Sequence, residues 1–123
     1  MAYERKGDTV VEALTATIAN GAALSGAVDL KGRQIIGLIT PAGWTSAAVT
    51  FSVSYDGSTY VDLFDKDGEV SLTDSTVIGA DRMVALDPVR LLGARYVKVR
   101  SGTAASPTNQ GAERVFSVLT RSV

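Results

Sequence analysis

Hydrophobic and polar residues alternate with a period of two along much of this chain, most clearly over residues 49–64. Val49, Phe51, Val53 and Tyr55 fall on one side, and Thr50, Ser52 and Ser54 on the other. That pattern predicts a strand with one face buried and one face wet. Asp56-Gly57 follows, where Asp tolerates turn geometry and Gly reaches positive φ without strain. Residues 60–65 then return, with Val61 and Leu63 on one face and Tyr60, Asp62 and Phe64 on the other. The expectation is a hairpin in a half-buried antiparallel sheet.

The remaining segments carry the same signal at lower contrast. In residues 9–19, Val10, Leu14 and Ile18 recur at helical spacing behind a Thr9-to-Glu12 capping box, yet Leu14, Ala16 and Ile18 also alternate with Thr15 and Thr17. The β-branched content favours a strand over 13–19, turning at Asn20-Gly21 into a second strand over 23–30. Residues 34–40 are nearly all apolar, as in a central strand buried on both sides, and Gly37 inside them signals a bulge or a close backbone approach. Further strands are expected at 69–73, around Met83 to Leu86, at 95–101 and at 113–122. In 95–101, Val97 and Val99 face in while Tyr96, Lys98 and Arg100 face out. In the last strand Phe116 and Val118 share one face, and Val115 and Leu119 the other. About eight to ten short strands with turns every eight to twelve residues specify an all-β antiparallel sandwich or barrel.

Composition narrows the chemistry. A chain of 123 residues suits one domain and a core that needs no covalent staples. We divide it into a flexible arm, residues 1–8, and a single β-sandwich domain, residues 9–123. The chain contains no Cys and no His, so a thiolate metal site, a disulfide and a histidine general base are all excluded. Its 12 basic and 13 acidic residues are scattered singly, which argues against a nucleic-acid groove or a polybasic membrane patch. No apolar stretch is long enough to span a bilayer as a helix, and the polar start lacks the run of a signal peptide. Serines and threonines have no activating base within a recognisable motif, and no Gly-rich phosphate loop follows a strand, so no enzymatic activity and no cofactor are expected.

Binding residues are sought where side chains stand out from the pattern. Tyr3 would anchor the arm on a partner. Trp44, the single Trp, reads first as a lid on the end of the core and second as a ligand platform. Tyr96, Lys98 and Arg100 form an outward row that is either a binding stripe or protection against edge pairing. The long unpatterned loop 102–112 carries Pro107, Asn109 and Gln110 near its tip. The acidic run Asp62, Asp65, Asp67 and Glu69 has a Lys between its carboxylates and no distal bidentate Glu, so it reads as a solvated turn before it reads as a calcium loop.

Two groups of residues resemble known families. Residues 54–60, Ser-Tyr-Asp-Gly-Ser-Thr-Tyr, and residues 93–99, Gly-Ala-Arg-Tyr-Val-Lys-Val, resemble the hairpin and a strand of the discoidin-like, galactose-binding type of jelly roll. That resemblance implies a jelly-roll order; the sugar-binding loops of those relatives are not recognisable. Residues 25–30, 37–45 and 100–103 are similar to small structural proteins encoded among the head genes of tailed bacteriophages. This second resemblance implies a capsid decoration or cement protein on the outside of a virion assembled in the host cytoplasm. Its partner would be the major capsid protein, and a homotrimer would suit a lattice three-fold. It also implies no cofactor and no reaction; no nucleic-acid or membrane partner is expected from the scattered charges. The alternative is a carbohydrate-binding module of a head or tail appendage, using Trp44, Tyr60 and Tyr96.

Overall fold

A computed structural model describes residues 11–78 and 82–122. Ten strands form among them: β1 Val11–Ile18, β2 Val28–Asp29, β3 Gln34–Ile39, β4 Val49–Ser54, β5 Val61–Asp62, β6 Phe64–Asp65, β7 Gly68–Glu69, β8 Met83–Ala85, β9 Tyr96–Ser101 and β10 Arg114–Arg121. One helical turn, α1 Asp74–Val77, and one 3-10 turn, Pro88–Leu91, join them. Tyr3 and the proposed arm lie outside the described residues.

The strands make two four-stranded antiparallel sheets, β1-β10-β3-β8 and β2-β9-β4-β5, with β6-β7 as a separate ribbon. Setting that ribbon aside, the strands in chain order read first-eighth-third-sixth in one sheet and second-seventh-fourth-fifth in the other. This interleaving is the jelly-roll order expected from the sequence. Of the connections between these eight strands, only β4 to β5 stays within a sheet.

The inward side chains of the two sheets meet in one core. Phe51, Val49, Val97 and Val99 come from one sheet, and Phe116, Val118, Ile18, Ile35 and Leu38 from the other. Each large apolar side chain buried this way contributes about 1.5–3 kcal/mol relative to exposure. Trp44 closes one end, edge-on to Phe116 with ring centroids 5.4 Å apart and planes at 85°. Its indole N–H donates to the Ala47 carbonyl at 2.9 Å. The lid reading of Trp44 therefore describes its position.

Several expectations hold in detail. Residues 11–18 are a strand with Leu14, Ala16 and Ile18 turned toward the core. The turn at Asn20-Gly21 forms, with Gly21 at φ +82°. Gly37 shows both anticipated features. The β10–β3 register slips between Leu119 and Thr120, leaving Ile36 as the extra residue of a bulge. A Cβ on Gly37 would also stand 2.9 Å from the Val84 carbonyl oxygen.

Three expectations are corrected. The segment after Asn20-Gly21 does not fold back on β1. It crosses to the other sheet and pairs with β9, and the expected strand over 23–30 shrinks to β2 plus a single bridge between Leu24 and Arg100. Ser25 substitutes for part of the missing ladder, donating its N–H to the Val99 carbonyl and accepting the Val99 N–H on Oγ, both at 2.9 Å. Secondly, β4 has no wet face: Thr50, Ser52 and Ser54 are as buried as Val49, Phe51 and Val53. Thirdly, Tyr55 leaves the inward row where the turn begins and is 77% exposed.

Candidate interaction surfaces

The residues that cover β4 lie on the outside of its sheet. Arg100 on β9 is next to Thr50 in the ladder. Its guanidinium reaches Asp62 at 2.7 Å, Glu69 at 3.3 Å and the Thr50 hydroxyl at 3.4 Å. Thr50 donates in turn to the Gly102 carbonyl at 2.7 Å. Glu69 accepts the Ala104 N–H, which ties the start of loop 102–112 to β7. The expected stripe of Tyr96, Lys98 and Arg100 is thus on the outer face as the register requires, but it is not a free basic row. Arg100 is buried between two carboxylates, Lys98 lies 4.3 Å over the Tyr60 ring, and the Tyr96 ring has the Arg95 guanidinium 5.3 Å above it. The acidic and aromatic counterparts come from residues 60–69, distant in sequence and adjacent in space.

The acidic run does not converge on one point. Asp62 and Glu69 face Arg100, Asp65 faces Arg90 at 3.4 Å, and Asp67 pairs with Lys66 at 3.1 Å. Among the described residues no three metal-ligating side chains come together.

At the Trp44 end, loops 40–48 and 102–112 are braced by one side chain. Gln110 is 1% exposed. Its amide oxygen accepts the Thr45 N–H at 2.8 Å and Arg114 Nε at 3.0 Å. Its amide nitrogen donates to the Thr45 carbonyl at 3.0 Å and the Ser101 hydroxyl at 2.7 Å. The expectation that Gln110, Trp44 and Arg100 present their side chains to a partner is corrected by this burial, since all three are engaged inside the molecule. Pro107 and Asn109 remain exposed on the same loop. The loop turns sharply at Gly102, at φ +90°, where a Cβ would sit 2.6 Å from both the Ser106 carbonyl oxygen and the Thr108 nitrogen.

Two carboxylates are held below the usual aspartate range. At Asp29 the cause is first the hydrogen bond from Arg95 and then the Lys31 N–H. At Asp56 it is the Thr59 and Ser58 N–H groups, followed by the Ser54 hydroxyl. Both sites shape turns. A shallow pocket between Val70, Leu72, Leu86 and Leu91 is rimmed by Asp87 and Arg90. Among the described residues no nucleophile is paired with a base in it.

The outer face of the β1-β10-β3-β8 sheet carries none of the described candidate residues. The ladder places Ala13, Leu119, Gly37 and Ala85 in one row across it, and Thr15, Ser117, Ile39 and Met83 in the next. Thr17 and Val115 continue one end, while Val11 and Arg121 form the other. An antiparallel sheet with one face on its core normally turns a polar face to water. This one carries apolar and hydroxyl side chains, with Leu119 and Gly37 buried at its centre and Arg121 as the charge at its corner. Met83 is 64% exposed and Val11 59%. The signal was available: residues 34–39 are apolar on both faces, and Val115 and Leu119 stand opposite Phe116 and Val118.

The chain matches no protein-family model, and no curated protein resembles it significantly. Among the described residues no helix is long and apolar enough to cross a membrane.

Proposed function

We propose that this chain is a virion structural protein, a capsid decoration or cement protein of a tailed phage that binds the assembled shell and stabilises it. The observation that carries the proposal is the uncharged outer face of the β1-β10-β3-β8 sheet. With strands about 4.8 Å apart and about 3.3 Å per residue, that face has a footprint on the order of 400 Å², in which Met83, Val11 and Val115 are the exposed apolar side chains and Leu119 is covered. Contiguous apolar patches of a few hundred Å² on a soluble protein mark interaction sites. The resemblance of residues 25–30, 37–45 and 100–103 to phage head proteins supports the major capsid protein as the partner. The braced loops and self-satisfied ionic cluster suit a part that works by holding its shape. A cement protein needs only that, because selective binding to the assembled lattice stabilises it by mass action. The rival sugar-binding reading relied on Trp44 as a platform, and that ring is committed to the core.

The test is co-sedimentation with shells assembled from the capsid protein of the phage that encodes the chain. The unmodified protein is expected to bind saturably and to raise the temperature at which the shells break. Met83→Lys and Val115→Lys, each placing a charge on the sheet face, are expected to weaken binding by about tenfold or more, since an unpaired charge in an apolar contact costs at least about 1.4 kcal/mol. Undiminished binding by both variants, each folded, would remove the face from the proposal. Saturable binding of simple sugars without shell binding would replace it with the rival.

A further inference from the structure

The two sheets have four edges, and they are not treated alike. β8 has three residues, and β2 and β5 have two each. Short edge strands are one way soluble proteins avoid pairing with one another. The fourth edge, β1, is eight residues long. It pairs with β10 along its whole length without a register shift, and among the described residues no strand pairs with its other side. It contains no Pro, no Lys and no bulge. Its one charge, Glu12, lies near its start with the carboxylate 3.5 Å from Arg33. Among the described residues the one long edge therefore lacks a Pro, a Lys, a bulge and a pairing strand, and keeps only the single carboxylate of Glu12. Roughly half of its backbone N–H and C=O groups point away from β10.

We propose that β1 pairs with β1 of a second copy of this chain, antiparallel about a two-fold axis, so that the four-stranded sheet continues across the joint as eight strands. The sequence of β1 is compatible with itself in this arrangement. An axis normal to the sheet near Leu14 and Thr15 keeps both cores on the same side. Glu12 then falls opposite Ala16 or Ile18 of the partner subunit, so no like charges meet. The same axis brings the two uncharged outer faces side by side in one surface. One face, on the order of 400 Å², is about half of the roughly 800 Å² per partner typical of a stable interface, and two together reach it. This area argument rests on the shell-docking reading; the strand pairing rests on the edge alone.

The experiment uses the full chain. Sedimentation equilibrium is expected to show a concentration-dependent monomer–dimer equilibrium that Thr15→Lys weakens and Met83→Lys, on the far edge of the same sheet, leaves intact. Because the chain has no Cys, Thr15→Cys gives a disulfide only between copies, and it is expected to oxidise to a covalent dimer well before Met83→Cys does at equal concentration. Hydrogen exchange at β1 amides should slow as concentration rises. A monomer at every concentration, with the two cysteine variants cross-linking at equal rates, would overturn the pairing. So would β1 amides protected equally at all dilutions, which would mean that the edge is covered within a single chain. Failure of shell binding with the dimer retained would discard the docking reading and leave the pairing standing.

Discussion

Gln110 shows how much of this structure is decided by single side chains that composition gives no reason to notice. It makes four hydrogen bonds from a site closed to water. Gln110→Ala would leave the Thr45 N–H and the Ser101 hydroxyl without those partners, at a cost of about 2–6 kcal/mol, given about 1–3 for each unsatisfied group. Chemical denaturation with an unchanged m-value would show it as a lowered midpoint. Gly102→Ala meets two backbone atoms and a positive φ at once, so at least about 2 kcal/mol is expected by the same measurement. Asp56 gives a prediction in pH. Its folded pKa is below its unfolded one, so the stability it contributes is present above the ordinary aspartate range and fades as pH falls through the folded value. Asp56→Asn should flatten that part of the acid limb of a stability–pH profile. The same residues show what sequence can resolve. Gly21 and Gly57 were legible because positive φ is a local demand. Gln110 was not, because its partner Thr45 is 65 positions away.

At the scale of elements, alternation announces a strand but not its neighbour. β1, β4, β9 and β10 all lie where the pattern put them, with the inward residues it named apart from Tyr55. The strand expected over 23–30 shrinks to β2 because Asn20-Gly21 specifies a turn without saying which sheet the chain enters next. The covered face of β4 was misjudged because Thr50, Ser52 and Ser54 look solvent-facing until Arg100, Asp62 and Glu69 are placed over their sheet. That cluster can be weighed directly. Arg100→Ala strands Glu69 in a site where its side chain is 15% exposed, while Asp62 keeps water with 45% exposed. A loss of about 3 kcal/mol is expected, toward the lower end of the range for breaking a buried pair because one partner stays hydrated. In the Arg100→Met, Glu69→Gln double variant the loss should be smaller than the sum of the singles by at least about 0.5 kcal/mol. Additive losses would show that the two side chains act independently.

The whole molecule is assembled almost entirely from pairings distant in sequence. Val11 opposes Arg121, and β4 opposes β9 across more than 40 residues. Folding is therefore expected in about milliseconds to seconds, as for other sheet proteins of high contact order. Trp44, the one Trp, edge-on to Phe116 in the core, provides the fluorescence signal for a stopped-flow measurement. Microsecond refolding would mean that local structure contributes more than the topology indicates. At this scale the sandwich and its jelly-roll order were readable, because strand spacing and the two family-like motifs concern the backbone. The uncharged sheet face was harder to see, since it is contributed by four strands drawn from both ends of the chain and becomes a surface only after they are laid side by side.

The neighbouring of β1 and β10 has a practical corollary. Val11 and Arg121 sit across one ladder rung from each other, so a short polar linker could join Arg121 directly to Val11 and new ends could be opened in the exposed turn at Asp56-Gly57. Polypeptides attached at Val11 and at Arg121 would leave the sheet from the same corner. If the protein studs a phage shell, that corner fixes where every grafted payload would emerge on the particle.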